Sequence, residues 1–217
     1  MYTLCWSAKG GCGTTVVASA LAVLLARSAP TTLVDLGGDV PAALGLAEPG
    51  EPGIGDWLTA SRARPEALWS LAVDASDSLR VIPLGTPPVA GPIAWERLAD
   101  ACATAPGLVV IDAGYATPPP VAHRRAAQSL VVTRSCYLAL RKGARCHGLA
   151  TGAILVSEPS RALGTNEVAN ALGVPVLAEL VWDPAVARAV DSGLLASRLP
   201  HSLIRQLQRV VTTGAAA

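Results

Sequence analysis

Apolar residues along this chain fall into two kinds of run. Short and nearly continuous ones occur at 3–7 (TLCWS), 31–36 (TTLVDL), 79–84 (LRVIPL), 108–112 (LVVID), 129–133 (SLVVT), 152–157 (GAILVS) and 175–181 (PVLAELV). A strand covered on both sheet faces reads this way, whereas a strand with one wet face alternates. Between these runs, apolar positions recur at helical spacing over 14–28, 94–104, 137–147, 166–172, 184–191 and 202–211. The alternation of the two patterns predicts an α/β chain: a doubly wound, mainly parallel sheet with helices on both faces.

Less regular segments lie among them. Residues 38–66 are rich in Pro and Gly and predict a surface excursion with one short helix; 85–92 (GTPPVAGP) and 115–120 (YATPPP) read as loops. No stretch repeats, and no linker is long enough to divide the chain. The expectation is one domain over 1–211 with a frayed tail at 212–217.

Composition narrows the classes. With 217 residues, 51% apolar and 15% charged, the chain can bury a substantial core and is not of the disordered type. A formal charge of +1 gives no footprint for nonspecific nucleic-acid binding. Five cysteines without CxxC pairing read as small buried hydrophobes rather than a disulfide frame or a zinc site. The three histidines have no motif partners and read as surface residues. The N-terminus MYTLCW lacks the basic and long apolar regions of a signal peptide, and Val16–Ala26 is too short to span a bilayer. The expected compartment is the cytoplasm, with recruitment to a pole or the inner membrane face left open.

The chemistry concentrates at WSAKGGCGTTVV, residues 6–17. Strand, glycine-rich loop and helix in that order form the context in which backbone amides bind phosphate. Gly10, Gly11 and Gly13 allow close approach, the amides of 11–15 can form an anion nest, and Thr15 supplies a Mg²⁺-type hydroxyl. An ordinary glycine turn is the plainer alternative. Lysine is rare here, two against fifteen arginines, so Lys9 inside the loop is less easily chance.

AKGGCGTT (8–15) resembles the deviant Walker A loop, KGGxGK[ST], of the ParA/MinD group of P-loop ATPases, whose fold is SIMIBI-type. LVVIDAG (108–114) looks like that group's Walker B strand, TTLVDLGGDVPAALGL (31–46) its second strand and switch I, and LAELVWDPAVARAVDSG (177–193) the segment that wraps the adenine. The flavour is similar to CpaE- and TadZ-like positioning proteins. The resemblance implies bound ATP or ADP with Mg²⁺. Lys9 would be the signature lysine that crosses to a partner's phosphates, and Gly10, Gly11, Cys12, Gly13, Thr14 and Thr15 would form the loop. Thr15 would ligate Mg²⁺, with Asp112 acting through water and Asp35 nearby; Trp182, Asp183 and Pro184 would frame the base. Plainer roles exist for two of these: Asp112 can cap a turn, and Asp183 before Pro184 can N-cap a helix.

Two departures fall on the chemistry. Thr14 stands where the loop lysine would bridge the β- and γ-phosphates, and Gly37 stands where a second switch I aspartate would orient water. Losing a charge-assisted hydrogen bond costs about 1.5–3 kcal/mol, roughly ten- to a hundredfold in affinity. Phosphoryl transfer is nearly all positioning and charge stabilisation, so turnover suffers more than binding. Lys9, Asp35 and Asp39 remain as weak catalytic candidates.

The resemblance thus implies a nucleotide-dependent homodimer acting as a positional scaffold for a pilus, septum or segregation partner, with slow or absent hydrolysis. Alternatives are an active ATPase using Lys9 in trans, an enzyme of the wider fold group, or an adaptor that contacts DNA or membrane without nucleotide. For the last, 123–128 (HRRAAQ), 141–145 (RKGAR) and the final helix offer only weak basic patches. That helix, with Leu203, Ile204, Leu207 and Val210 at helical spacing, is expected to pack on the domain.

Overall fold

The computed structural model describes residues 1–48, 50–87 and 91–214. Eight strands form one sheet: β1 (Thr3–Trp6), β2 (Thr31–Asp35), β3 (Val73–Asp74), β4 (Leu79–Ile82), β5 (Leu108–Asp112), β6 (Gln128–Arg134), β7 (Gly152–Ser157) and β8 (Val176–Val181). Their order is β3-β4-β2-β5-β1-β6-β7-β8, and only β3 runs antiparallel to its neighbour. All seven predicted strands are present; the added β3 is two exposed residues on an edge, too short to leave a pattern.

The helices are α1 (Thr14–Leu25), α2 (Val40–Leu44), α3 (Ile54–Thr59), α4 (Pro65–Trp69), α5 (Pro92–Ala103), α6 (Pro120–Arg125), α7 (Tyr137–Gly143), α8 (Thr165–Leu172), α9 (Pro184–Asp191) and α10 (His201–Gly214), with a 3₁₀ turn at Ala144–Cys146. Strand residues alternate between two cores, as they must when each strand points its side chains to opposite faces. Cys5, Leu33, Val110, Leu130 and Ile154 pack with α1, α2, α9 and α10 on one face. Leu4, Trp6, Val34, Ile111 and Leu155 pack on the other with α3, α4, α5, α6 and α8. The doubly wound, mainly parallel architecture is therefore as expected, and ten of the twelve residues of α1 are buried because helices and sheet enclose it.

Several expectations are corrected. The segment 38–66 is not a surface excursion with one helix: it holds α2 and α3 and leads into α4, and Ile54, Trp57 and Leu58 are core residues. His123 is buried; His147 and His201 are exposed. Cys5, Cys12 and Cys102 are buried as expected, but Cys136 and Cys146 are only half-buried. The loop expected at 85–92 is helical from Pro92, and its residues 88–90 lie outside the described residues. Of the tail expected to fray, 212–214 continue α10, while 215–217 lie outside the described residues. Helix α10 does pack on the fold, with Leu203, Leu207 and Val210 buried. Among the described residues no helix is long and apolar enough to cross a membrane.

Strand β1 lies between β5 and β6. The chain leaves β1 toward β2 on one side and enters β6 on the other, so the connections part above β1's carboxyl end. That is the crevice where open α/β sheets bind ligands, and the glycine-rich loop sits in it.

Candidate functional site

The loop is set by two local devices. Ser7 Oγ accepts from the Lys9 amide at 3.1 Å and donates to the Lys9 carbonyl at 2.6 Å, turning the chain as it leaves β1. Gly11 and Gly13 then take φ of +77° and +88°, a region that side chains resist. Gly13 is the N-cap of α1 and no side chain caps that helix, so its first amides are available to an anion. A cleft of about 540 Å³ opens in front of them, lined by residues 10–16 and, opposite, by Leu36, Gly37, Asp39 and the turn after β5.

Next to it lies an apolar pocket of about 210 Å³, walled by Val156, Leu180, Trp182, Val186 and Leu203 among others. Gly13 and Val16 line both spaces. One compartment thus offers backbone amides and the adjoining one offers apolar surface.

Two carboxylates stand behind the cleft. Asp35 and Asp112 pair across β2 and β5, and both are fully buried. Asp35 Oδ1 accepts from the amides of Gly37 (3.0 Å) and Gly38 (2.7 Å), and its Oδ2 from Val40 (3.1 Å). Burial pushes its pKa up to about 6 against the pull of those amides, with the Asp112 charge adding to the rise. Asp112 Oδ1 accepts from Gly114 at 3.0 Å, but its Oδ2 is buried without a partner. Burial raises the Asp112 carboxyl above the usual range, opposed by the Thr15 side chain beside it and the Gly114 amide. The buried Asp112 carboxylate and the nearby Thr15 hydroxyl are oxygen donors of the kind Mg²⁺ takes, although no group of three or more His, Cys, Asp or Glu side chains comes together among the described residues.

The expected residues divide as follows. Gly10, Gly11, Cys12, Gly13, Thr14, Thr15 and Asp39 line the cleft. Thr14 is buried in the first turn of α1. A Cβ on Gly37 would sit 3.4 Å from Asp112 Oδ2, so position 37 faces that carboxylate. Lys9 lies outside the cleft, its Nζ donating to the Gly10 carbonyl at 3.1 Å on the exposed surface. Trp182 and Asp183 line the apolar pocket, whereas Pro184 starts α9 and lines neither space. Asp183 is the N-cap: Oδ1 accepts from the Ala185 amide at 2.8 Å, and Oδ2 from Ser202 Oγ at 2.6 Å, tying α9 to α10. The Ser202 hydroxyl and the Ala185 amide hold the Asp183 carboxyl below the usual range.

Tyr115 and Arg134 are among the residues at the site that were not expected. Tyr115, 75% exposed, lines the cleft with its ring 3.7 Å from where a Cβ on Gly10 would be. Arg134, the last residue of β6, donates to the Gly11 carbonyl at 3.3 Å, pairs with Glu158 and lies over the Trp182 ring at 5.9 Å. A cation at the carboxyl end of a core strand is a signal the sequence carries; Tyr115 sits in a Pro-rich loop with no pattern to mark it.

No protein-family model matches the sequence and no curated protein sequence matches it. Solved structures do. The ParA family ATPase of Chlorobium tepidum superposes with a TM-score of 0.74 at 17% identity, over 97% of each chain. The septum site-determining protein MinD of Pyrococcus horikoshii, complexed with Mg-ADP, gives 0.73 at 16%, over 97% of this chain and 94% of its own. An ATP complex of McdA from Cyanothece gives 0.67 at 18%, over 100% of this chain and 96% of its own. At such identities the likeness is one of architecture: this chain has the P-loop fold of the ParA and MinD ATPases.

Proposed function

We propose that the chain binds ATP or ADP with Mg²⁺, closes into a homodimer, and serves as a positional scaffold for a pilus, septum or segregation partner with slow or absent hydrolysis. One observation carries the nucleotide reading: an amide-lined cleft and an apolar pocket share Gly13 and Val16. A polyphosphate on the first amides of α1 would leave its base against Val156, Leu180 and Trp182. Thr15 and Asp112 would hold Mg²⁺, which supplies charge neutralisation to the phosphates.

The same geometry supports holding over spending. Position 14 lacks the lysine, and position 37, facing Asp112 Oδ2, lacks a carboxylate. Asp35 gives its accepting capacity to three backbone amides. Asp39 reaches the cleft from the start of α2, but a single exposed carboxylate is a poor means of orienting water.

Dimerisation rests on the face around the cleft. Tyr115, Tyr137, Leu138 and Trp182 are at least half exposed, and all follow the carboxyl ends of β5, β6 and β8. Lys9 extends on the same side, its ammonium bonded to a backbone carbonyl rather than to a carboxylate, as suits a residue that works across an interface. That position also keeps alive a second reading, an active ATPase completed by the partner's lysine.

The test is titration of ATP and ADP with Mg²⁺ against the wild type and Lys9→Ala, read by oligomeric state and phosphate release. Micromolar binding with nucleotide-dependent dimerisation, lost in Lys9→Ala, and little phosphate release support the scaffold. Phosphate release that disappears in Lys9→Ala supports the second reading. Binding only above millimolar concentrations rejects both.

A further inference from the structure

Thr14 leaves the phosphate loop without its own cation, yet an arginine-based device sits against that loop. Arg134 is 30% exposed and its partner Glu158 26%. Its guanidinium makes three contacts at once: one Nη on the Gly11 carbonyl, the other on the Glu158 carboxylate, and its Cζ over the Trp182 ring at 5.9 Å. Glu158 is itself gripped by Arg161, whose Nε and Nη2 reach Oε2 at 2.9 and 2.7 Å. Two arginines on one carboxylate leave a net positive charge beside the loop.

The contacts join two walls. Gly11 lines the phosphate cleft and Trp182 the apolar pocket, so Arg134 links the groups that would meet the two ends of a nucleotide. By donating to the Gly11 carbonyl, Arg134 restrains its direction. Gly11 has a φ of +77°, so the chain turns sharply there and fixing that carbonyl fixes the turn. A planar fork suits the role, because it can bond a carbonyl and a carboxylate in one plane and still stack on a ring, which an ammonium cannot do.

We propose that Arg134 is a positioning residue for the bound nucleotide, fixing the phosphate loop against the base wall and supplying the positive charge that Thr14 does not. Glu158, anchored by Arg161, holds it there. The inference rests on the nucleotide reading above and adds to it which residue makes a loop without the usual lysine competent.

The experiment compares Mg-ADP and Mg-ATP binding by calorimetry in the wild type, Arg134→Ala, Arg134→Lys and Glu158→Gln, with thermal melts of each. Arg134→Ala is expected to weaken both nucleotides about ten- to a hundredfold with the melt of the free protein little changed. Arg134→Lys should recover part of the loss, because charge returns without the fork; a purely structural strut would gain nothing from charge. Glu158→Gln, which keeps an acceptor but breaks the ion pair that holds the fork in place, should weaken both nucleotides several-fold. It also keeps the proposal testable should Arg134→Ala fail to fold. Wild-type affinity in Arg134→Ala, no recovery in Arg134→Lys, or unchanged or tighter binding in Glu158→Gln overturns the proposal while leaving nucleotide binding intact. A wild type that binds neither nucleotide overturns the nucleotide reading and this inference with it.

Discussion

Asp35 and Asp112 are register partners on adjacent strands, yet one is saturated and the other is not. Asp35 accepts from the amides of Gly37, Gly38 and Val40, whereas Asp112 Oδ2 has no partner. The first carboxylate shapes the loop after β2; the second is kept available. Substitution should separate the two roles. Asp35→Ala strands three amides and should cost about 3 kcal/mol in urea unfolding. Asp112→Asn keeps an acceptor for Gly114 and removes a buried charge, so it should be near neutral in stability while abolishing the Mg²⁺ dependence of nucleotide binding. Equal loss of stability in both variants would contradict this division.

Positions 14 and 37 should be gain-of-function sites. Thr14→Lys restores a charge-assisted bond to phosphate and should tighten ATP binding about tenfold or more. Adding Gly37→Asp puts a carboxylate beside Asp112, at a position whose Cβ would meet Oδ2 at 3.4 Å. The double variant should release phosphate faster than either single one; no gain in turnover would show that the switch loop is inactive for another reason.

Gly45 and Gly193 set how closely the end of α2 approaches the turn after α9. The C-cap of α2 and the turn after α9 touch backbone to backbone, both glycines having positive φ. A Cβ on Gly45 would collide with the Gly193 carbonyl oxygen. Gly45→Ala should therefore destabilise by roughly 3 kcal/mol, from overpacking and left-handed strain together. Chemical denaturation measures it, and a loss under about 0.5 kcal/mol would mean the contact is slack.

How much of this was legible in the chain follows from range. Strands announced themselves because both sheet faces are covered, so each reads as an unbroken apolar run. Helices α2, α3 and α4 have five or six residues, too few turns for a period to show, and Pro and Gly around them read as loop. The loop residues 10–15 are contiguous and carry their own signature. Arg134 and Gly11 are 123 positions apart, and no local pattern links them. His123 is buried by near partners that a distant one completes: Nε2 donates to the Pro118 carbonyl at 2.9 Å, and Nδ1 meets Ser129 Oγ at 2.8 Å. The Trp6 indole donates to that same Ser129 oxygen at 3.0 Å, which leaves the serine proton for Nδ1.

That network has a pH consequence. Burial lowers the His123 pKa, partly offset by the Pro118 carbonyl. The unfolded chain then binds more protons than the folded one below the ordinary histidine value of about 6.5. The His123 contribution to stability should rise with pH through that window and be flat above it, opposed by the raised Asp35 and Asp112 carboxyls, whose contribution falls as pH rises. His123→Gln should lower overall stability yet flatten the histidine step between roughly pH 5 and 7. An unchanged slope in the variant would assign the acid sensitivity to other groups.

Whether nucleotide is held rather than spent is tested most directly by following phosphate release at saturating Mg-ATP in the same samples used for equilibrium binding. The predicted result is saturable binding in the micromolar range with turnover below about one per minute, against the roughly 1 s⁻¹ or more of ordinary enzymes. Turnover near one per second, or no saturation below millimolar ATP, would contradict it.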